Sequence, residues 1–210
     1  MTDCPMIDTR VTSSISYATY TMPVFKKTAC ALLSGRAGVG KTSLSVILKE
    51  EFKNYNLNVE RFSFAGKVKE VADYMNWDGK KDERGRKLLQ SVGRIGREYD
   101  KDTWCRLLFE EVIPLWNYYP YDVIVIDDWR FRNEYDFVAG NYLYHPFTAR
   151  IDAPNRECLK GKLTYNDLSE MELDDFDFDL VIDNSEDGLE LLRDKSQELI
   201  KMVLQTTPQM

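Results

Sequence analysis

The stretch GRAGVGKT, residues Gly35–Thr42, decides the fold because it has the complete spacing of a phosphate-binding loop, GxxxxGK[ST]. The apolar run Thr28–Ser34 before it is typical of a buried strand, and Thr42–Phe52 after it has helical periodicity. Glycines let successive backbone N–H groups point inward at a helix N-terminus, whose dipole favours anions. The sequence therefore predicts a site for nucleotide phosphates between the first strand and the first helix.

Two side chains of this loop have predicted roles. Lys41 is expected to reach the β- and γ-phosphates of ATP, and the Thr42 hydroxyl is expected to ligate Mg²⁺. The alternative is a glycine-rich turn that binds nothing, which the flanking strand and helix disfavour. ATP is predicted to contact nine consecutive residues: Gly35, Arg36, Ala37, Gly38, Val39, Gly40, Lys41, Thr42 and Ser43.

Composition limits the class of protein. At 210 residues, 43% of them hydrophobic, the chain suits one domain or one domain with an inserted lobe. The four cysteines include no CxxC pair, so neither a zinc site nor a disulfide framework is expected, and a cytoplasmic setting is favoured. The N-terminus lacks signal-peptide features, and no apolar run approaches the ~18 residues that span a membrane.

Charge is unevenly distributed. The net charge of −7 argues against a nucleic-acid polymer as partner. Lys80–Arg97 is nevertheless basic, whereas Asp167–Asp187 is strongly acidic. A local basic cluster on an acidic protein suits a small anionic ligand.

Strands alternate with helices along the chain, which predicts a parallel α/β sheet. Residues 1–26 form an N-terminal arm without an assigned function. The domain proper is predicted at 27–210, with a core at 27–65 and 119–210, a helical lobe at 66–118 and a lid at about 153–166. Later strands are predicted at Asn58–Phe64, Tyr121–Asp128, Phe147–Ile151 and Phe178–Ile182, and later helices at Lys67–Met75, Glu83–Tyr99, Asp102–Trp116 and Leu189–Leu204.

Two carboxylates, Asp127 and Asp128, end the third predicted strand. A strand beside the first one brings such a carboxylate next to the Mg²⁺ shell, so Asp127 is predicted to serve the metal together with Thr42. Asp128 is a second candidate for the metal, and either residue could act as a base. The alternative is that each merely caps a strand.

Arginines follow at the same edge of the predicted sheet. Arg130 and Arg132 lie where open α/β sheets bind ligands, and guanidinium groups suit phosphate oxygens. The alternative for each is an ion pair with an acidic neighbour such as Glu134. Arg94 and Arg97 share one helix face, which is either an acceptor-phosphate site or a solvated face. Further candidates are Arg36 in the loop, Arg150 at the end of the fourth strand and Arg156 in the predicted lid.

The single histidine, His145, is not expected to be catalytic. Transfer to a hydroxyl normally needs a base, whereas a phosphate acceptor is already largely dianionic because its second pKa is about 6. An arginine-rich site without an obvious base therefore fits transfer onto a phosphate.

The sequence resembles the deoxynucleoside monophosphate kinases of tailed bacteriophages, within the P-loop nucleoside monophosphate kinase superfamily. The resemblance covers roughly Ala31–Ile200 and rests on the phosphate loop, WDGKKDERGRKLLQ at Trp77–Gln90, IDDWRFRNE at Ile126–Glu134 and the late stretch Ser169–Asn184. It implies ATP-dependent phosphorylation of a deoxynucleoside 5′-monophosphate to the diphosphate, which supplies viral DNA precursors in the host cytoplasm. The chain departs from the family in its N-terminal arm and in a lid whose only arginine is Arg156.

The resemblance also implies a P-loop kinase fold, with a five-stranded parallel sheet of order 2-3-1-4-5 flanked by helices and an inserted helical acceptor-binding lobe. Catalysis is then expected from Lys41, Arg36, Asp127, Asp128, Arg130 and Arg132. The acceptor is expected to contact Phe64, Lys67, Gln90, Arg94, Arg97, Trp104, Arg130 and Arg150.

Other interpretations stay open at this point. The acceptor could be phosphomevalonate, dephospho-coenzyme A or a nucleoside. A nucleotide-hydrolysing switch is less favoured, since the Asn/Thr-Lys-x-Asp motif of GTPases is absent from the sequence. Neither the nucleobase nor the choice between monomer and homodimer follows from residue spacing.

Overall fold

The computed structural model describes residues 27–118, 121–155, 171–185 and 189–206. Its sheet confirms the predicted order 2-3-1-4-5, and every neighbouring pair of strands is parallel. The strands are β1 (Thr28–Ser34), β2 (Val59–Phe62), β3 (Val123–Ile126), β4 (Tyr144–Asp152) and β5 (Leu180–Asp183).

Helices connect these strands. They are α1 (Lys41–Lys53), α2 (Phe64–Tyr74), α3 (Glu83–Tyr99), α4 (Thr103–Tyr118), α5 (Arg132–Ala139) and α6 (Leu189–Thr206). The sequence predicted each of them except α5, which is only 8 residues long and offers too little periodicity to detect. No helix in the described part of the chain is long and apolar enough to cross a membrane.

Strand β4 begins three residues earlier than predicted and includes Pro146. The structure pairs β5 only with Ala149–Asp152, so on that side of Pro146 no ladder hydrogen bond is lost through the missing N–H. Strand β5 begins two residues later than predicted because Phe178 packs its ring against Trp129, with centroids 5.5 Å apart.

Apolar side chains cover both faces of the sheet, as expected for parallel strands. One face packs Leu33, Val125 and Ile151 against α1 and α6, which contribute the buried residues Leu44, Leu48, Phe52, Leu199 and Val203. The opposite face buries Leu32, Ile126, Phe109, Trp129 and Tyr144.

Helices α2, α3 and α4 follow one another without an intervening strand, and we call them the helical lobe. Val68, Val92 and Trp104 form a small core between them. The indole Nε1 of Trp104 donates to the Gly93 carbonyl at 2.9 Å, and its ring fills the space beside Gly96.

The turn between α2 and α3 contains the start of the WDGKKDERGRKLLQ stretch. Trp77 Nε1 donates to the Lys80 carbonyl at 3.1 Å, and Asp82 Oδ1 caps α3 by accepting from Gly85 N at 2.8 Å. A Cβ at residue 85 would collide with the Lys80 carbonyl and lie 2.9 Å from Trp77 Nε1. The close approach of the turn to the helix therefore requires glycine.

We predict that Gly85→Ala lowers the free energy of unfolding by roughly 2 kcal/mol or more, because the turn must move to admit the methyl group. Gly66→Ala in α2 is the matched control, since its Cβ would meet no atom closer than 4.0 Å. Alanine there is expected to be neutral or to stabilise the protein by up to about 1 kcal/mol. Urea denaturation measures both variants, and equal stabilities would contradict this view of the turn.

Candidate functional site

The phosphate loop lies between β1 and α1, and its backbone curls as the sequence predicted. Gly35, Gly38 and Gly40 all have positive φ. Gly35 also packs against the Ile151 carbonyl so closely that a Cβ would collide with it. Lys41 Nζ donates to the carbonyls of Gly35 at 2.5 Å and Arg36 at 2.7 Å, so the lysine spans the loop.

A residue that follows the edge strand β5 also holds the loop. Asn184, directly after β5, donates from Nδ2 to the Val39 carbonyl at 2.8 Å. The loop therefore has a defined shape that depends on residues far from it in sequence.

Asp127 lies directly after β3 and contacts both α1 and β2. Its Oδ2 accepts from Arg61 at 2.7 Å and lies 3.0 Å from Ser45 Oγ. Ser45 Oγ is in turn 2.9 Å from the Thr42 carbonyl. Ser45 thus links the Asp127 carboxylate to the first turn of α1, where the phosphate loop ends.

These residues fit the Mg²⁺ ion that the resemblance implies. Mg²⁺ prefers hard oxygen ligands and usually takes only one or two from the protein, the rest coming from phosphates and water. Thr42 is exposed at the N-terminus of α1, and the structure gives Asp127 Oδ1 no hydrogen-bond partner among the described residues. One hydroxyl and one carboxylate oxygen are therefore available beside the loop.

Asp128 has a different environment from Asp127. Its carboxylate accepts three hydrogen bonds, from Ser63 Oγ at 2.8 Å and from the backbone N–H groups of Phe64 at 2.9 Å and Ala65 at 2.7 Å. These donors form the N-terminus of α2, so Asp128 caps that helix from a neighbouring strand. Burial raises the pKa of Asp128 in spite of the three hydrogen bonds. Of the two adjacent carboxylates, Asp127 has the freer oxygen.

Glu134 fixes the backbone of the arginine segment. It is only 4% exposed, and its Oε2 accepts from the N–H groups of Arg130 at 2.9 Å and Phe131 at 3.1 Å. Burial raises the pKa of Glu134 to about 8. Arg97 from the helical lobe lies over the Phe131 ring, 4.0 Å from its centroid. The structure therefore brings Arg97 and Arg130 to the same segment, whereas Arg94 points to an exposed surface of α3.

The short acidic segment Met171–Phe176 contacts three of the predicted phosphate-binding arginines. Arg132 pairs with Asp175 at 2.5 Å, and both Arg36 and Arg150 pair with Asp174, at 3.2 and 2.7 Å. For Arg132 this is the ion pair with an acidic neighbour that the sequence left as an alternative, although the partner is Asp175 rather than Glu134. A cleft of about 480 Å³ opens between Arg36, Arg150, Asp174, Phe176 and Phe178.

The helical lobe contains a second cleft, of about 900 Å³, lined by the turn and by α3: Met75, Asn76, Trp77, Asp78, Asp82, Glu83, Arg84, Gly85, Lys87, Leu88 and Ser91. Next to it, Lys69 and Arg86 lower the pKa of Lys81, while the carboxylates of Asp127 and Asp128 act in the opposite direction. The basic turn of the lobe is thus within electrostatic range of the carboxylate pair.

Two predicted acceptor contacts lie in the protein interior instead. Phe64 is 3% exposed and Trp104 is 4% exposed, because both belong to hydrophobic cores. Both side chains support the packing of the lobe, and their contact with the acceptor stays a prediction. Lys67 is half-buried beside Glu70, and Gln90 is half-buried on α3. Arg156 and most of the predicted lid fall outside the described residues.

His145 lies far from the loop. The register pairs it with Ala29 at the start of β1, whereas the phosphate loop follows the end of β1. The histidine therefore lies toward the amino ends of the strands, whereas the phosphate loop follows their carboxyl ends. That His145 has no catalytic role stays a prediction.

Sequence reasoning missed three residues that shape this site, Ser45, Arg61 and Asp174, and it named Glu134 only as a possible ion-pair partner. Ser45 had a local signal, because it is a polar residue on the buried face of α1 beside Leu44 and Leu48. Arg61 and Asp174 act through partners 66 and 138 residues away, which no local pattern indicates.

The strand order together with the loop between β1 and α1 is the architecture of P-loop kinases. No protein-family model matches the chain, and no curated protein matches its sequence.

Similar solved structures exist at low identity. One is a shikimate kinase from Aquifex aeolicus, with 14% identity, coverage of 83% of this chain and 98% of that chain, and a TM-score of 0.42. Another is an APS kinase of Mycobacterium tuberculosis in complex with AMPPNP and APS, with 11% identity, coverage of 86% and 99%, and a TM-score of 0.43. Similarities at this level say nothing about the substrate of this chain, and the fold assignment rests on its own strand order.

We predict that Glu134 makes stability depend on pH. Its folded-state pKa of about 8 lies above the ordinary value of 4.5, so the folded state holds a proton that the unfolded state has lost. The proton on Glu134 therefore stabilises the fold fully below about pH 4.5, and this stabilisation is lost as the pH rises to about 8. Between these values the free energy of unfolding should fall by up to roughly 1.4 kcal/mol per pH unit.

Glu134→Gln is the matched variant, because its amide imitates the protonated acid. As the pH rises over this range, the wild type should lose stability and the variant should not. Urea denaturation at a series of pH values measures the difference between their unfolding free energies. A difference between the two proteins that does not change with pH would show that Glu134 is ionised throughout.

Proposed function

We propose that the protein is an ATP-dependent kinase that phosphorylates a deoxynucleoside 5′-monophosphate to the diphosphate. The observation that carries this proposal is the joining of the phosphate loop to Asp127 through Ser45, at a sheet edge rich in arginine. The identity of the acceptor rests on the resemblance of the Trp77–Gln90 and Ile126–Glu134 stretches to the phage enzymes.

The donor half of the site consists of the loop and the residues beside it. Backbone N–H groups of Gly35–Thr42 would hold the phosphates of ATP at the N-terminus of α1. Lys41, which now binds two loop carbonyls, would exchange them for phosphate oxygens. Mg²⁺, held by Thr42 and Asp127, would neutralise charge on the β- and γ-phosphates.

The acceptor half faces this edge from the helical lobe. Arg130 belongs to the segment whose backbone Glu134 fixes, and Arg97 lies over the Phe131 ring of the same segment. The charges of Asp127 and Asp128 also act on the pKa of Lys81. These cations would bind the acceptor phosphate and orient it toward the γ-phosphate. The cleft beside Trp77 is where the remainder of the acceptor would extend.

The chemistry of the site favours a phosphate over a hydroxyl as acceptor. A hydroxyl acceptor needs a general base, and His145 lies toward the amino ends of the strands. Asp128 is committed to three hydrogen bonds that hold α2, and Asp127 is assigned to Mg²⁺ in this proposal. A phosphate acceptor is already ionised at neutral pH, so positioning and charge neutralisation by arginines suffice.

We predict that the wild type releases ADP from ATP faster with deoxynucleoside monophosphates than with phosphomevalonate, dephospho-coenzyme A or nucleosides. A coupled ADP-release assay over this panel measures the preference. A clear preference for another acceptor would reject the deoxynucleotide assignment, and hydrolysis that no acceptor accelerates would favour a nucleotide-hydrolysing switch.

Lys41→Ala is expected to lower turnover at least about a hundredfold without unfolding the protein, because it removes the cation proposed to bind the β- and γ-phosphates. Lys53→Ala, an exposed lysine in the last turn of the same helix, is the control and should keep wild-type turnover. Near-normal transfer by Lys41→Ala would refute the assignment of the donor site.

A further inference from the structure

We propose that Asp174 is a positioning residue that holds the loop arginine Arg36 against the phosphates of bound ATP. The proposal rests on the donor half of the proposed function and extends it to a segment that the sequence did not connect with the loop.

The geometry is a chain of alternating charges beside the loop. Arg36 donates to Asp174 Oδ2 at 3.2 Å, and Arg150 donates to Asp174 Oδ1 at 2.7 Å. Arg150 also donates to Asp152 Oδ1 at 2.9 Å. The order Asp152–Arg150–Asp174–Arg36 therefore connects the end of β4 to the phosphate loop.

Arg150 is the most firmly held residue in this row of charged side chains. Besides the two carboxylates, it donates to the Leu173 carbonyl at 3.2 Å and lies 5.7 Å from the centre of the Phe178 ring. Its side chain is only 14% exposed, and the two carboxylates raise its pKa against the effect of burial. An arginine held by these four contacts suits a fixed support better than the acceptor contact predicted from the sequence.

The side chain of Asp174 is 42% exposed, but its neighbours in the sequence are packed against the protein. Leu173 is 3% exposed in the core, and Phe176 packs on Trp129 with ring centroids 4.8 Å apart. The backbone N–H groups of Asp174 and Phe176 close turns onto Met171 at 2.9 Å and Leu173 at 3.2 Å. The carboxylate is therefore held in place on both its backbone and its side-chain side.

Arg36 can bind a phosphate while it keeps this contact. A guanidinium group has five N–H donors in a fixed fork, so one edge can face a carboxylate and the other a phosphate. The side chain of Arg36 is 17% exposed and lies inside a loop whose backbone is built to surround phosphates. Asp174 would hold the Arg36 side chain in one orientation before ATP binds. Less conformational entropy would then be lost when the side chain contacts the phosphates.

The test is a double-mutant cycle on nucleotide binding. Isothermal titration calorimetry with Mg²⁺ and AMPPNP gives the dissociation constants of the wild type, Asp174→Asn, Arg36→Ala and the double variant. We expect Asp174→Asn to weaken binding about three- to tenfold in the wild-type background and less than about twofold in the Arg36→Ala background. A merely structural role of Asp174 would give the same loss in both backgrounds.

Asp177→Asn provides the control, because it makes the same charge change at an exposed position three residues away. It should leave AMPPNP binding unchanged. If Asp174→Asn does not fold, Asp174→Glu replaces it, since the longer side chain displaces the carboxylate; its loss should likewise depend on Arg36.

Three results would overturn the proposal. Tighter AMPPNP binding by Asp174→Asn would mean that the carboxylate competes with phosphate for Arg36. Equal losses of affinity in both backgrounds would make the role of Asp174 structural. Unchanged affinity would leave Asp174 without a role at the site. Since the ligand is a nucleotide alone, a negative acceptor panel rejects the proposed function without affecting this test. Absence of AMPPNP binding by the wild type would reject both.

Discussion

The rest of the site depends on two adjacent carboxylates at the end of β3 that face different parts of the fold. Asp127 contacts α1 through Ser45 and β2 through Arg61. Asp128 holds the first turn of α2 with three hydrogen bonds, and α2 begins the helical lobe. Both residues follow Ile126, the last residue of β3, and their hydrogen bonds reach Ser45 in α1 and Ser63 at the start of α2, respectively. The pair therefore links the start of the lobe to the helix that follows the phosphate loop.

Charged side chains around these carboxylates form two groups of opposite-charge contacts. Arg61 pairs with Asp127, the charge of Asp127 acts on the pKa of Lys81 in the lobe, and Glu134 organises the backbone that carries Arg130. Farther toward β5, Asp174 and Asp175 pair with Arg36, Arg150 and Arg132. These acidic partners orient the three guanidinium groups, and they compensate the burial of Arg36 and Arg150, whose side chains are 17% and 14% exposed.

Local patterns were sufficient to predict most of the fold. The loop glycines, the apolar strands and the long amphipathic helices each carry their own signal, and the sheet order followed from the resemblance. The start of α2 was predicted three residues late because its cap, Asp128, lies 63 residues from Ala65. Trp104 was assigned to the acceptor although the contact of its ring with Gly93 and Gly96 buries it. Ion pairs such as Arg36–Asp174 arise only when distant segments meet, so spacing in the sequence did not indicate them.

A side-by-side comparison of Asp127→Asn and Asp128→Asn tests the division of labour between the two carboxylates most directly. It measures the unfolding free energy and the Mg²⁺-dependent affinity for AMPPNP of each variant. Asp127→Asn should weaken that affinity at least about tenfold with the smaller loss of stability, because it removes a metal ligand. Asp128→Asn should lose about 1–3 kcal/mol of unfolding free energy, because three partly buried donors at the start of α2 lose their charged acceptor. The opposite pattern, in which Asp127→Asn destabilises the fold and Asp128→Asn abolishes Mg²⁺-dependent binding, would contradict the account.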